Sequence, residues 1–491
     1  MIGRLVSAES VLAVATPYVT GAGAGLVARA LSLVAGFANL WLLTQMLSKE
    51  QFAGYVFVLA LLTWLAMVGT AGLDRTILYR LARADAPTGE LVGGPLVAAA
   101  LMIVLPVSVA VALAVLFGTS AGGLDQPRGV AFWSAVLAPV VVMMCVGRVF
   151  EAWFWARGRV AESIIVPATG EVARTAGLLV AFFLVPTVTG VATGVIVASF
   201  VPLLVWSAIA PLGRLRHTAW FDRGDVSYGL KAMLGKAANE GTHQLDVIMI
   251  GILAAGAAIA DYAVAARLAA LVAVVKGLLT PVLTPRLARY SAAGRRNALL
   301  REYGQVRLVG FLAALVLALL FAAFGRQVLG VFGDYEQSYS VLILLIAGFV
   351  VSAGFGSNAS FLIITGHAGW TLAARMALLA AIVALNLVLV PRLGAFGAAL
   401  SMAIGMAAVN VVLCVMIWQL DRLPTISGRL AVLVGAAYTM LLLGGFEVVG
   451  GAVVAAGLGV LAGALVVWEW PLWLPAAKQL AGAATGGRPV D

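Results

Sequence analysis

Charge is what this chain has least of: 11% of its 491 residues are Asp, Glu, Lys or Arg, while 63% are hydrophobic and the mean hydropathy is +1.07. That balance excludes an ordinary water-soluble fold, because too few polar side chains remain to cover a surface. Cysteine is nearly absent. The two present, Cys145 and Cys414, lie inside apolar runs, which implies neither a disulfide framework nor a metal site. The three histidines, His217, His243 and His367, are far apart in sequence and lack zinc-ligand spacing. Acidic residues are the scarcer charge, 21 against 31 basic. The basic excess is not a nucleic-acid patch, since no stretch interleaves enough Lys or Arg with aromatics, and most basic residues fall in loops between apolar runs. The first residues carry one Arg, a weak apolar run and Pro17, and read as an interfacial helix rather than a cleaved signal peptide.

What is present is a succession of apolar runs, each long enough to cross a bilayer core as a helix of about 20 residues. The fold class that follows is an all-α polytopic membrane protein of about fourteen spans. Residues 1–212 hold the N-terminal segment and six spans, residues 213–418 six more, and residues 419–491 two extra spans and a tail. Assigning loops alternately to two sides places nearly all Lys and Arg on one of them, which predicts that both termini are cytoplasmic and the number of spans even.

The two halves also echo each other. Tyr55 is followed about a helix length later by Leu81, Ala82 and Arg83, and Tyr262 by Leu287, Ala288 and Arg289. Val185 and Pro186 precede Gly190 and Gly194, as Val390 and Pro391 precede Gly394 and Gly397. The near-constant offset predicts two six-helix bundles in the same orientation, related by a pseudo-twofold axis along the membrane normal, with a substrate site between them.

Several ionisable side chains interrupt the spans, where each costs about 2.5 to 3.5 kcal/mol at the bilayer centre and so marks a protein-facing or water-facing surface. Lys236, Asn239, Glu240, His243 and Asp246 share one side of the seventh span. Lys236 and Glu240, four apart, also fit an ion pair within the helix. Arg29, Ser32, Gly36 and Asn39 line a face of the first span, although Arg29 is close enough to the boundary to snorkel. Arg267 and Lys276 in the eighth span point oppositely on a straight helix, and only a bend brings both to one cavity. Lys276 is the preferred cavity residue, and Asp261 is a partner within reach of Arg267. Arg148 with Glu151, and Glu171 with Arg174, have the i,i+3 spacing of pairs that fix a gate or anchor a helix end. In the tenth span Gly354, Gly356, Ser357 and Asn358 form either a flexing point or a close packing of small residues.

The runs LLTQMLSKEQFAGYVFVLALLTWLAMVGTAGLDRTILYRLA, LDVIMIGILAAGAAIADYAVAARL with TPVLTPRLA, and VPRLGAFGAALSMAIG resemble the polysaccharide exporters of the multidrug/oligosaccharidyl-lipid/polysaccharide (MOP) superfamily over about the first four hundred residues. The resemblance implies two six-helix bundles around a central cavity and alternating access. It further implies flipping of an undecaprenyl-pyrophosphate-linked oligosaccharide across the bacterial inner membrane, beside a polysaccharide polymerase and export machinery. Arg29, Asn39, Lys236, Lys276 and Arg267 are then candidates to meet the pyrophosphate. Glu240, His243, Asp246, Arg148, Glu151, Glu171 and Arg174 are candidates for gating or for coupling to H+ or Na+. No cofactor is implied. A cation-coupled drug antiporter of the same superfamily would need cavity carboxylates to outnumber cations, and here they do not. A glycosyltransferase or acyltransferase would present catalytic groups in sizeable loops, whereas the first outer loop is little more than Ser48 to Gln51.

Overall fold

The structure is a computed structural model that describes residues 8–70, 72–83, 100–101, 103–109, 129–156, 159–209, 221–254, 256–423 and 425–468. All regular structure among them is helical. α1 (Ala8–Met46) runs unbroken, so the expected interfacial segment is continuous with the first span. It is followed by α2 (Lys49–Gly69), α3 (Leu73–Arg83), α4 (Val130–Ala156), α5 (Val160–Leu184), α6 (Val188–Ile209) and α7 (Arg223–Leu253). Then come α8 (Gly256–Ala269), α9 (Leu271–Ala292), α10 (Arg296–Gly330), α11 (Tyr339–Phe355), α12 (Asn358–Ile364), α13 (Ala368–Asp421), α14 (Gly428–Gly445) and α15 (Gly451–Trp468).

Ten described helices are long and apolar enough to cross a membrane, and the pair α8 and α9, bent by 46°, adds an eleventh. α13 accounts for two crossings. Its 54 residues exceed any bilayer core, and Gly394 leaves helical geometry at φ 57°, ψ −132°. Gly405 packs on Ile382 and Leu378 from the other side of that residue, so the chain turns back on itself. The corresponding turn between α5 and α6 follows Val185 and Pro186, and Gly190 lies against the Val185 carbonyl as Gly397 does against that of Leu389. The repeated Val-Pro…Gly signal thus builds the same helical hairpin twice. The expected third span, Gly93 to Phe117, lies largely outside the described residues, as do the side chains of Lys236, Glu240 and His243.

The chain divides into two compact units, Met1–Ile248 and Met249–Asp491. In the first, α1 packs on α5, α5 on α6, and α2 and α3 on α4. Its core is aromatic: Trp133 is fully buried, sets its ring edge-on to Tyr55 at 5.1 Å and donates Nε1–H to the Gln51 carbonyl. In the second unit α11 is the central helix, packed by α8, α10, α13 and α14. Its sequence is apolar on every face, the pattern of a helix with no solvent or lipid side. α14 and α15, the extra spans, pack on α11 and α10.

The division falls inside α7, later than residue 212, for a local reason. Asp222 and Asp225 accept each other's backbone N–H in a reciprocal cap that starts α7. Arg80 of α3 pairs with Asp225 at 2.7 Å, Thr76 donates to the Asp225 carbonyl, and Tyr79 stacks on Tyr228 at 4.2 Å. A Cβ at Gly72 would overlap the Gly229 backbone, so these contacts tie the first turns of α7 to the first unit.

Candidate functional site

Among the described residues, each unit contains a polar cluster inside its helices that includes sequence candidates. In the first unit Asn39 of α1 is buried at 4% exposure and donates Nδ2–H to the Glu171 carboxylate of α5 at 3.1 Å. Arg174, one turn along α5, approaches the other Glu171 oxygen at 3.5 Å, a long ion pair. Thr175 links the same two helices, within reach of the carbonyls of Ala35 and Glu171. Asn39 Oδ1 and Arg174 Nε are buried without a hydrogen-bond partner, one acceptor and one donor. Two of the sequence candidates therefore join a third, Asn39, in a site of mixed charge within one unit.

The remaining first-unit candidates are scattered. Arg29 is exposed, while Ser32, a turn later, bonds back to the Ala28 carbonyl and Gly36 and Asn39 are buried, so that stripe does not share one environment. Arg148 is half-buried with Nη1 lacking a partner, Glu151 is half-buried, and Asp246 is fully buried on α7.

In the second unit the two cations of the eighth span lie on either side of the bend at Ala270, and the bend does not bring them to one cavity. Arg267 ends exposed on α8, and Asp261 accepts a bond from Ser338 at 2.9 Å. Lys276 turns inward from α9. Its ammonium donates to both the carbonyl and the hydroxyl of Ser352, each at 2.7 Å. Ser352 lies in the last turn of α11, whose terminal carbonyls have no partner within the helix, so a cation there satisfies an orphan acceptor and the negative end of the helix dipole together. The helix stops because Gly356 adopts φ +77°, where an L side chain is strained, and an added Cβ would stand 2.8 Å from the Tyr303 hydroxyl.

Beyond the break, Ser357 shares a hydrogen bond with Thr280 at 2.9 Å. Tyr303, fully buried, lies 3.0 Å from the Phe355 carbonyl and 2.6 Å from the Asn358 side-chain amide. A phenol has one proton. Both contacts are satisfied when Tyr303 donates to Phe355 and the amide of Asn358 turns its nitrogen to Tyr303. Lys276, Thr280, Tyr303, Gly356 and Ser357 line a small cavity with Arg307, which is 9% exposed; none of the described lining residues is acidic. The cavity has room for about one water molecule.

Sequence reasoning singled out Lys276 but missed Tyr303 and Arg307. The signal for Arg307 was present, a cation at the start of an apolar span; nothing local marks Tyr303. Among the described residues no group of three His, Cys, Asp or Glu side chains could hold a metal ion.

This arrangement of broken and hairpin helices is a transporter fold. It is shared by lipid II flippase MurJ in an inward closed conformation, with TM-score 0.68, 10% identity, and 92% of this chain and 99% of that one covered. An inward-facing multidrug resistance MATE family transporter of the MOP superfamily matches with TM-score 0.68 and 14% identity, over 81% of this chain and 98% of its own. A MOP superfamily transporter from Pyrococcus furiosus Vc1, described as having a binding pocket of reverse polarity, gives 0.58 and 15% over 82% and 94%. At these identities the fold is what is shared. The family model for polysaccharide biosynthesis proteins matches residues 19–291, more than half of the sequence, and the chain belongs to that family. No curated protein matches it.

Proposed function

We propose that the protein flips an undecaprenyl-pyrophosphate-linked oligosaccharide from the cytoplasmic to the periplasmic leaflet of the bacterial inner membrane by alternating access, with both termini cytoplasmic and a polysaccharide polymerase acting next on the product. The observation that carries this reading is the cavity of the second unit, which sets Lys276 and Arg307 among hydroxyl groups with no acid among its described lining residues. Cations in a low-dielectric site favour a multivalent anion such as a pyrophosphate, and would repel a cationic drug. The family and the flippase activity named for MurJ support the same assignment. Arg29 and Lys236 are proposed as further contacts to the pyrophosphate, and Glu171 or Glu240 as the group coupled to H+ or Na+.

A second reading, cation-coupled drug antiport, has the Asn39, Glu171 and Arg174 cluster and the MATE-like fold in its favour. Arg174 beside the carboxylate opposes it. Reconstitution in proteoliposomes separates the two: movement of a lipid-linked oligosaccharide between leaflets supports the flippase, whereas uptake of a cationic dye driven by an ion gradient, with no lipid movement, replaces it by the antiporter.

A further inference from the structure

The interruption between α11 and α12 is held by side chains from two other helices. Lys276 grips Ser352 before the break, and Thr280, four residues along α9 and therefore on the same face, grips Ser357 after it. Tyr303 of α10 contacts Phe355 on one side and Asn358 on the other. These clasps also line the cavity that receives Arg307. An ammonium has three N–H donors, and Lys276 uses two of them on Ser352. The third remains for an occupant, and the space available is that of one oxygen atom rather than a whole pyrophosphate.

The geometry points to this break as a phosphate-responsive hinge: a terminal phosphate oxygen entering the cavity binds Lys276, draws it from Ser352 and releases the end of α11, while Tyr303 is the positioning residue that keeps α11 and α12 in register. An anionic oxygen outcompetes a neutral carbonyl for an ammonium because the bond is charge-assisted on both sides. Once Ser352 loses its cap, Thr280 and Tyr303 are the remaining described side chains that hydrogen-bond across the bend at Gly356. The inference rests on the flippase reading only for the carrier of the phosphate; binding of a free phosphate compound to the purified protein does not depend on transport.

The test is hydrogen–deuterium exchange over residues 352–361 for the full chain in phosphatidylcholine nanodiscs, with and without inorganic pyrophosphate, alongside the melting temperature. Pyrophosphate raises the wild-type melting temperature and speeds exchange at the break by about tenfold, the effect of losing one capping bond. Lys276→Met exchanges fast at the outset and does not respond to pyrophosphate, while Lys276→Arg binds it and reports that the site still folds. Tyr303→Phe exchanges faster than wild type yet still binds, since Tyr303 holds the break rather than the anion. A melting shift without faster exchange at 352–361 overturns the hinge, as does a Lys276→Met variant that responds like wild type. Failure of the wild type to bind pyrophosphate also overturns it, while the leaflet assay judges the flippase reading separately. Replacing phosphatidylcholine by phosphatidylglycerol, without pyrophosphate, assigns the source: faster exchange means a bilayer headgroup reaches the site, and no change means the phosphate comes from a carrier.

Discussion

The two units each contain a Val-Pro hairpin and hold different polar chemistry inside their helices. In the first, Glu171 is held between Asn39 and Arg174, so the cluster contains its own counter-charge. In the second, Lys276 gives two of its donors to neutral oxygens and shares a cavity with Arg307, with no acid among its described lining residues. A carboxylate with its counter-charge built in has little pull on a further cation, whereas cations lined only by neutral partners favour an anion. The difference teaches that a hairpin motif present in both units, Val185-Pro186 and Val390-Pro391, does not dictate which polar side chains the unit holds.

The comparison is broken most severely at Lys276. Replacing it by Met removes the charge and the cap of α11 at once, and we expect transport at equal amounts of inserted protein to fall by about tenfold or more. Glu171→Gln, in contrast, should leave pyrophosphate binding near wild type and change the dependence of transport on an ion gradient; equal loss of binding in both variants would show that the units are not specialised.

Smaller effects sharpen the picture of the frame. Gly356→Ala should lower stability by about 1 to 3 kcal/mol, because the residue stands at φ +77° against Tyr303, whereas Gly304→Ala, in a regular helix with nothing within 4 Å, should be neutral or slightly stabilising. Thermal unfolding in detergent compares the two. Asp225→Asn weakens the buried link to Arg80 and should cost about 1.5 to 3 kcal/mol, read as a lower melting temperature and faster proteolysis near the start of α7. Arg326→Gln, which removes an ion pair with Glu447 whose partners are 54% and 58% exposed, should change stability by less than about 1 kcal/mol.

Much of the frame was legible because the bilayer sets a minimum length of apolar helix for each crossing and the sequence marks its turns. Val185-Pro186 and Val390-Pro391 marked the hairpins, and SAGFGSNAS marked the break at Gly356. Helix periodicity could not reveal that Asn39 reaches Glu171 across 132 residues, nor that Tyr303 closes the break, because both depend on which helix packs beside which. The bend between α8 and α9 was equally hidden, since no proline lies between Gly256 and Ala270 to mark it, although periodicity did show Arg267 and Lys276 on opposite faces. The seventh-span stripe of Lys236, Glu240 and His243 stands as a sequence expectation. Lys236→Gln combined with Glu240→Gln tests it, since full transport by the double variant would make the pair structural.

The central claim is that positive charge in the second unit's cavity carries the phosphate of a lipid-linked substrate. The most direct measurement is the rate at which a fluorescent undecaprenyl-pyrophosphate-linked oligosaccharide changes leaflet in proteoliposomes containing matched amounts of wild type, Lys276→Arg and Lys276→Met. The account predicts movement by wild type, substantial movement by the Arg variant and little by the Met variant; equal rates for Arg and Met, or no lipid movement by wild type, would contradict it.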